Sequence, residues 1–442
     1  MILNLLILIV VLLLLVVAIS KWKIHPFIAL LLAGITLGFA VGFDGVKTVS
    51  VLLDGFSNTL KWIAIVVILG AFIGEVLNAS GGGIRISEKI LKLTGQKRLP
   101  WAMGFTGYLV SIPVFVDVAY ILLHPIIEAL SKRSKTPVLV VGLSLAAGLT
   151  VSHTLMPPTP GPLAVAALLK ADIGRLLLIN AFVAVFAVVG GVLWAKLFCK
   201  KYRLPFDDKP ESTEQLLTAE QQQSKRKRSV LIDLAPIIVP IVLMGIGVFF
   251  KSKTPLGKFF EFISIPMIAV LIGAAIAAVD YARNYDKAKL NSLVESAIIK
   301  SALVIMITGA GGAFGGIIKA SGMQEALGLY FSDMPFVGFL LPFLIAAILT
   351  TATGSITVSL IGTASILGEF SSVMPYSPEI MAALIGCGSF CVFHANASFF
   401  WLLNRLHNVS VQTLYKTYTL QSLIMGVFGL LGVLILYLIG IK

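Results

Sequence analysis

Polar chemistry in this chain gathers at four places where apolar sequence is interrupted by backbone-breaking residues. The first is Ser111-Ile112-Pro113-Val114-Phe115-Val116-Asp117. A carboxylate within a membrane span costs about 2.5–3.5 kcal/mol on insertion scales, so a retained one faces a cavity or a partner. Burial disfavours its charged form, which lets Asp117 load and release a proton; its plainer role is a structural acid held by a polar neighbour. The second and fourth places surround His153 and His394. A histidine there can hydrogen-bond substrate hydroxyls or carry a proton, or it can simply satisfy carbonyls freed by a broken helix. The third, Thr350-Thr351-Ala352-Thr353-Gly354-Ser355-Ile356-Thr357, is rich in hydroxyls. With exposed amides at helix N-termini these can hold a carboxylate without a fixed cation, although hydroxyls also bond back to their own helix.

The candidate substrate-binding residues are therefore Ser111, Pro113, Ser152, His153, Thr159, Thr353, Gly354, Ser355, Thr357, His394, Asn396 and Ser398, with Asp117 and His153 as candidates for proton coupling. Nothing in the pattern calls for a catalytic residue, a metal or a cofactor. Cys387 and Cys391 share a helix face but lack further soft ligands, so they read as small packing residues.

The elements that must position these residues are membrane helices. The chain is 58% hydrophobic and 12% charged, with a mean hydropathy of +0.98, which defines an all-α polytopic membrane protein. Its first window, Met1 to Ser20, lacks a basic leader and reads as a retained span. Net charge is +13, but the basic residues lie between spans, which excludes a nucleic-acid module and is explained by loop bias. The most informative stretch is Leu139 to Leu163: a glycine-containing apolar helix runs through His153 into Met156-Pro157-Pro158-Thr159-Pro160-Gly161-Pro162, where prolines remove donors and break it. Broken backbone at membrane depth is tolerated only where protein or a cavity covers it, and it points to a transporter's binding site.

Expected spans are Ile2–Ser20, Ile24–Gly42, Trp62–Leu77, a segment pair over Trp101–Leu130, a broken span Val138–Leu169 and Leu176–Phe198. A polar linker, 199–229, follows. Then come Val230–Phe250, Phe262–Val279, Ile298–Ile318, a second pair over Pro335–Leu367, a second broken span Ile380–Leu406, and Leu420–Ile441. Gly70, Gly74, Ser80, Gly81 and His153 recur at Gly311, Gly315, Ser321, Gly322 and His394, each 241 positions on (394 − 153). One gapless offset argues for duplication, with repeats over 1–198 and 230–442.

Basic clusters mark the cytoplasmic side: Lys21 and Lys23; Arg85 to Arg98; Lys132, Arg133 and Lys135; Lys225 to Arg228; and Arg283, Lys287 and Lys289. Clusters on both flanks of Trp101–Leu130 make that pair a re-entrant hairpin. The first half then crosses five times, which inverts the second. Two inverted repeats, each with a hairpin and a broken helix, place four interruptions at one site. Glu75 has two open roles, proton relay or structural pairing near the cytoplasmic end. Gly309 to Gly316, GAGGAFGG, lacks a preceding strand and reads as close helix packing. A channel would need charged or carbonyl rings, and an intramembrane enzyme a nucleophile or zinc signature; neither pattern is present.

Several blocks resemble the gluconate:proton symporter (GntP) family of the ion-transporter superfamily: Ala79-Ser80-Gly81-Gly82, Ile112-Pro113-Val114-Phe115-Val116-Asp117-Val118, Ala147 to His153, Pro157 to Pro162 and Thr353 to Val358. The resemblance spans nearly the whole chain. It implies proton-coupled uptake of a small hydroxylated acid such as gluconate across a bacterial cytoplasmic membrane, with relatives that take D-serine. It also implies an elevator, in which hairpins and broken helices move against a scaffold, and a homodimer. Two departures bear on the substrate. Thr159 stands where the family has histidine in Pro-Pro-His-Pro-Gly-Pro, and Ala397 where it has an acid in His-Val-Asn-Asp. Sodium coupling and a hydroxy amino acid substrate stay open, since Asp117 can hold an ammonium group.

Overall fold

The structure, a computed structural model, describes residues 2–83, 85–86, 89, 98–112, 115–202, 204, 229–249, 254–322, 335–395 and 397–441. Pro113, Asn396, and nearly all of the linker 199–229 lie outside the described residues. No strand occurs among the described residues.

The first half comprises α1 (Ile2–Ser20), α2 (Pro26–Ala40), α3 (Gly45–Ala79), α4 (Leu99–Val110), α5 (Val116–Ser134), α6 (Val138–Leu155), α7 (Pro160–Leu169) and α8 (Ile173–Phe198). The second comprises α9 (Val230–Phe249), α10 (Pro255–Ser264), α11 (Pro266–Asn284), α12 (Leu290–Ala320), α13 (Pro335–Thr353), α14 (Ile356–Leu367), α15 (Pro378–Ser389), α16 (Ser398–His407) and α17 (Leu420–Leu438). A π-helical segment, Tyr415–Thr419, leads into α17. Local chemistry sets the boundaries. Asp44 caps α3 by accepting from the Lys47 amide at 2.8 Å, and Asp172 caps α8 through Arg175 at 2.9 Å. Proline opens α2, α7, α10, α11 and α15, where its missing donor is harmless.

One expected span is extended by the structure and one is redrawn. The expected span Trp62–Leu77 is the second half of a longer helix: α3 runs 35 residues from Gly45, as segments Gly45–Lys61 and Ala64–Ala79 that meet at a bend. Instead of Phe262–Val279 there are two helices, because Pro266 holds Ile265 extended (φ −56°, ψ 125°) and stops α10. By length and apolarity alone, five helices of the described residues can cross a membrane, six with α3, whose halves bend by 42°.

The 241-residue offset reappears in the helix ends. Ser80 caps α3 at φ −83°, ψ −9° and Ser321 caps α12 at φ −81°, ψ −8°. Each is followed by a glycine at φ +70°, Gly81 or Gly322, a left-handed turn that a Cβ disfavours. These two long helices pack face to face through the glycine-rich stretch of α12: a Cβ on Gly312 would meet the Gly55 carbonyl at 2.7 Å, and one on Gly309 the Phe56 ring at 2.6 Å. The glycines thus serve helix packing. In the same way Gly104 and Gly107 of α4 sit against Gly148 of α6, where a Cβ would meet the Tyr108 amide nitrogen at 2.6 Å. α4 therefore rests on α6, and the arms of the expected first hairpin diverge from their bend.

Candidate functional site

Each interruption is a helix end followed by a new helix start. Between α4 and α5, Ser111 is fully buried and its amide donates to the Gly107 carbonyl at 3.0 Å. Phe115 is the last residue before α5, and Asp117 lies in the first turn of α5, exposed. Between α6 and α7, the Thr159 hydroxyl donates to the Met156 carbonyl, and Asn180 Nδ2 donates to the freed Leu155 carbonyl at 2.7 Å. Between α13 and α14, Gly354 takes φ +71°, and Ser355 accepts from the Val358 amide at 3.3 Å. Between α15 and α16, His394 Nε2 donates to the Thr351 carbonyl at 2.8 Å. That carbonyl belongs to the last turn of α13.

Packing then crosses between the halves. Leu360 lies against Gly161 and Gly368 against the Leu168 carbonyl, so α14 and α7 run parallel from adjacent starts. Tyr120 meets Phe399 at 5.2 Å between ring centroids, and His124 meets His407 at 4.9 Å, so α5 and α16 do the same. Two contacts join these pairs at their starts: the rings of Phe115 and His153, 5.5 Å apart, and the His394–Thr351 bond. The four interruptions form a closed ring, with helix N-termini presented two by two. Such ends carry unpaired amides and a partial positive charge suited to an anion.

Not every candidate side chain is free to act. Thr353 and Thr159 spend their hydroxyl protons on backbone carbonyls, Thr353 on Leu349 at 2.7 Å, and His394 also serves the backbone. His153 Nδ1 and Ser152 Oγ are buried without a hydrogen-bond partner among the described residues. They are the polar atoms of the second interruption still available to a ligand. Thr357 and Ser398 stand in the first turns of α14 and α16, Ser398 exposed. Sequence reasoning passed over Phe115, Asn180 and Ser359, which bonds the Ala346 carbonyl at 2.6 Å and Ser389 at 2.9 Å. For Asn180 and Ser359, a polar residue in an apolar helix was the available signal.

A cavity of about 960 Å³ opens elsewhere, between α3, α12, α7 and α14, and includes Asp54, Lys61, Lys319 and the Lys170–Glu369 pair, 3.7 Å apart. None of the candidate residues lines it. Glu75 is paired: it accepts from Lys300 at 2.6 Å and from Ser296 at 2.8 Å. Arg85, one of the basic residues expected on the cytoplasmic side, is 4% exposed and gripped by Asp233 at 2.6 and 2.8 Å. Cys387 and Cys391 pack on Gly429 and Gly426, and the described residues contain no metal-binding cluster.

This architecture is that of a multi-pass membrane transporter. It superposes on the YdaH transporter of Alcanivorax borkumensis with a TM-score of 0.71 at 14% identity, covering 94% of this chain and 99% of that one. MtrF of Neisseria gonorrhoeae gives 0.64 at 13% identity, covering 96% of each. The model of the GntP family permeases matches residues 2–439, and the chain belongs to that family of permeases. It is 32% identical to a gluconate permease of Pseudomonas aeruginosa, over 96% of this chain and 95% of that protein. It is 30% identical to the high-affinity gluconate transporter of Escherichia coli (95% and 96% covered) and 32% to that organism's D-serine transporter DsdX (95% and 95%). The chain is thus a permease and not an enzyme.

Proposed function

We propose that the protein is a secondary active transporter that takes up gluconate or a related small hydroxylated acid together with a proton. The observation that carries this reading is the ring of interruptions. Paired helix N-termini receive a carboxylate, His153 Nδ1 and Ser152 Oγ meet hydroxyls, and Asp117 stands at the edge as proton carrier. The names of the relatives support a sugar acid. In this reading 1–198 and 230–442 are inverted repeats, the linker 199–229 is cytoplasmic, and the hairpins and broken helices form the moving domain of an elevator. The protein works as a homodimer in a bacterial inner membrane.

A second substrate, a hydroxy amino acid such as D-serine, is favoured by one observation: Asp117, in the first turn of α5, is exposed, and a carboxylate there can hold an ammonium group. The test is uptake of labelled gluconate into proteoliposomes with and without an inward proton gradient, with D-serine as competitor. Gradient-driven accumulation that Asp117→Asn abolishes is expected. Uptake driven by sodium, or of D-serine alone, overturns the coupling ion or the substrate.

A further inference from the structure

We propose that Tyr120, His407, His124 and Glu128 form a proton relay that connects the Asp117 end of α5 with its basic end. The inference rests on the proton-coupled reading above and assigns a path to the proton. Asp117, Tyr120, His124 and Glu128 follow one another at spacings of three, four and four, which places them on one face of α5. Against that face α16 brings His407. Tyr120 is fully buried, and His407 is 6% exposed. Tyr120 Oη lies 2.6 Å from His407 Nε2, and the His407 and His124 rings are 4.9 Å apart. The His124 ring lies beside the Leu406 backbone. Its Nε2 is buried without a hydrogen-bond partner among the described residues and faces Glu128 Oε1 at 4.0 Å.

A packing role does not require this arrangement. A buried Tyr–His pair would be self-sufficient, whereas a second imidazole with a buried open nitrogen beside a carboxylate is costly unless that nitrogen is periodically filled. α6 makes room for the cluster with Gly142, whose Cβ would meet both the Tyr120 hydroxyl and His407 Nε2, the latter at 2.9 Å. The other titratable groups on the surrounding elements sit at the ends of the path. Tyr418 is within electrostatic reach of Asp117 and Tyr120, His153 stands beside Phe115, and the exposed Arg405 and half-buried Lys132 lie towards the basic end.

The transfer conserves protons and moves no electrons. A proton from Asp117, one turn earlier on the same face, reaches Tyr120 Oη by way of bridging water as the phenolic O–H passes to His407 Nε2, leaving Tyr120 neutral. His407 releases the proton on its other ring nitrogen to the open Nε2 of His124, and a turn of the ring restores its tautomer. His124, keeping the proton on its second nitrogen, passes the one on Nε2 to the Glu128 carboxylate. A small swing of Glu128 or one bridging water closes the 4.0 Å gap. Glu128, 18% exposed, releases it to water.

The test uses proteoliposomes of the full chain loaded with a pH-sensitive dye, comparing wild type with Tyr120→Phe, His407→Gln and His124→Gln. Substrate-dependent acidification of the lumen is measured beside equilibrium exchange of labelled against unlabelled substrate at equal pH, with gluconate and D-serine both offered. Exchange needs a folded carrier but no net proton movement. The relay predicts acidification reduced at least about tenfold while exchange stays within about twofold. Acidification at the wild-type rate in all three variants overturns the relay. So does a proportional fall of both activities in Tyr120→Phe, which removes one oxygen and leaves the ring. Wild type that exchanges substrate without acidification, or exchanges neither substrate, overturns the functional reading and the relay with it, an outcome visible before any variant is made.

Discussion

Replacing Asp233 by leucine should destabilise the protein by about 3–5 kcal/mol, more than any other single polar substitution outside the ring of interruptions. Its carboxylate meets Arg85 at Nη2 and Nε, 2.6 and 2.8 Å away, and Arg85 Nη1 donates to the Ser80 carbonyl at 2.8 Å. Both residues are 4% exposed. At 2.6 Å and an effective dielectric near 20, the pair attracts by about 6 kcal/mol. Desolvation of several kcal/mol per ion opposes this, so the pair is worth little against well-packed apolar residues. Losing one partner is different, because guanidinium cannot shed its proton and stays a buried charge, whereas an orphaned carboxyl can neutralise. Arg85→Leu should therefore cost less than Asp233→Leu, and the double substitution less than Asp233→Leu alone. SDS-titrated unfolding of the four proteins closes the double-mutant cycle. Effects that add within about 0.5 kcal/mol would refute the reasoning, since they would mean the two groups do not sense each other.

Gly354→Ala, at φ +71°, should cost about 1–2 kcal/mol and slow uptake, as a Cβ is disfavoured in that turn; the initial rate of substrate uptake reads this. Gly312→Val should force α12 off α3, where Gly55 and Thr59 leave no room for a Cβ; a loss of about 1–3 kcal/mol in the same unfolding assay is expected. Glu75→Gln should keep uptake within about twofold, because its partner Lys300 is 37% exposed and such pairs contribute about 1 kcal/mol or less. A collapse of proton-driven uptake in that variant would restore Glu75 to the proton path. Asn180→Leu should lower stability by about 1–3 kcal/mol by orphaning the Leu155 carbonyl that it caps at 2.7 Å.

Hydropathy and proline placement made the membrane class, most helices and all four interruptions legible in the sequence, because backbone without partners in lipid has so few options. The 241-residue offset was legible too, since Ser80-Gly81 and Ser321-Gly322 are local turn chemistry that repeats with the residues. Tertiary structure decided what no spacing encodes. The same histidine type became a backbone clasp at His394 and an open nitrogen at His153, according to which carbonyls came within reach. Arg85 looked like a loop charge until α9 brought Asp233 to it across 148 positions. His124 and His407, 283 positions apart in sequence, acquired a joint chemistry only when α5 and α16 packed in parallel. Sequence fixes which groups a helix can offer and on which face; the partner across the interface fixes whether each group is spent or left available.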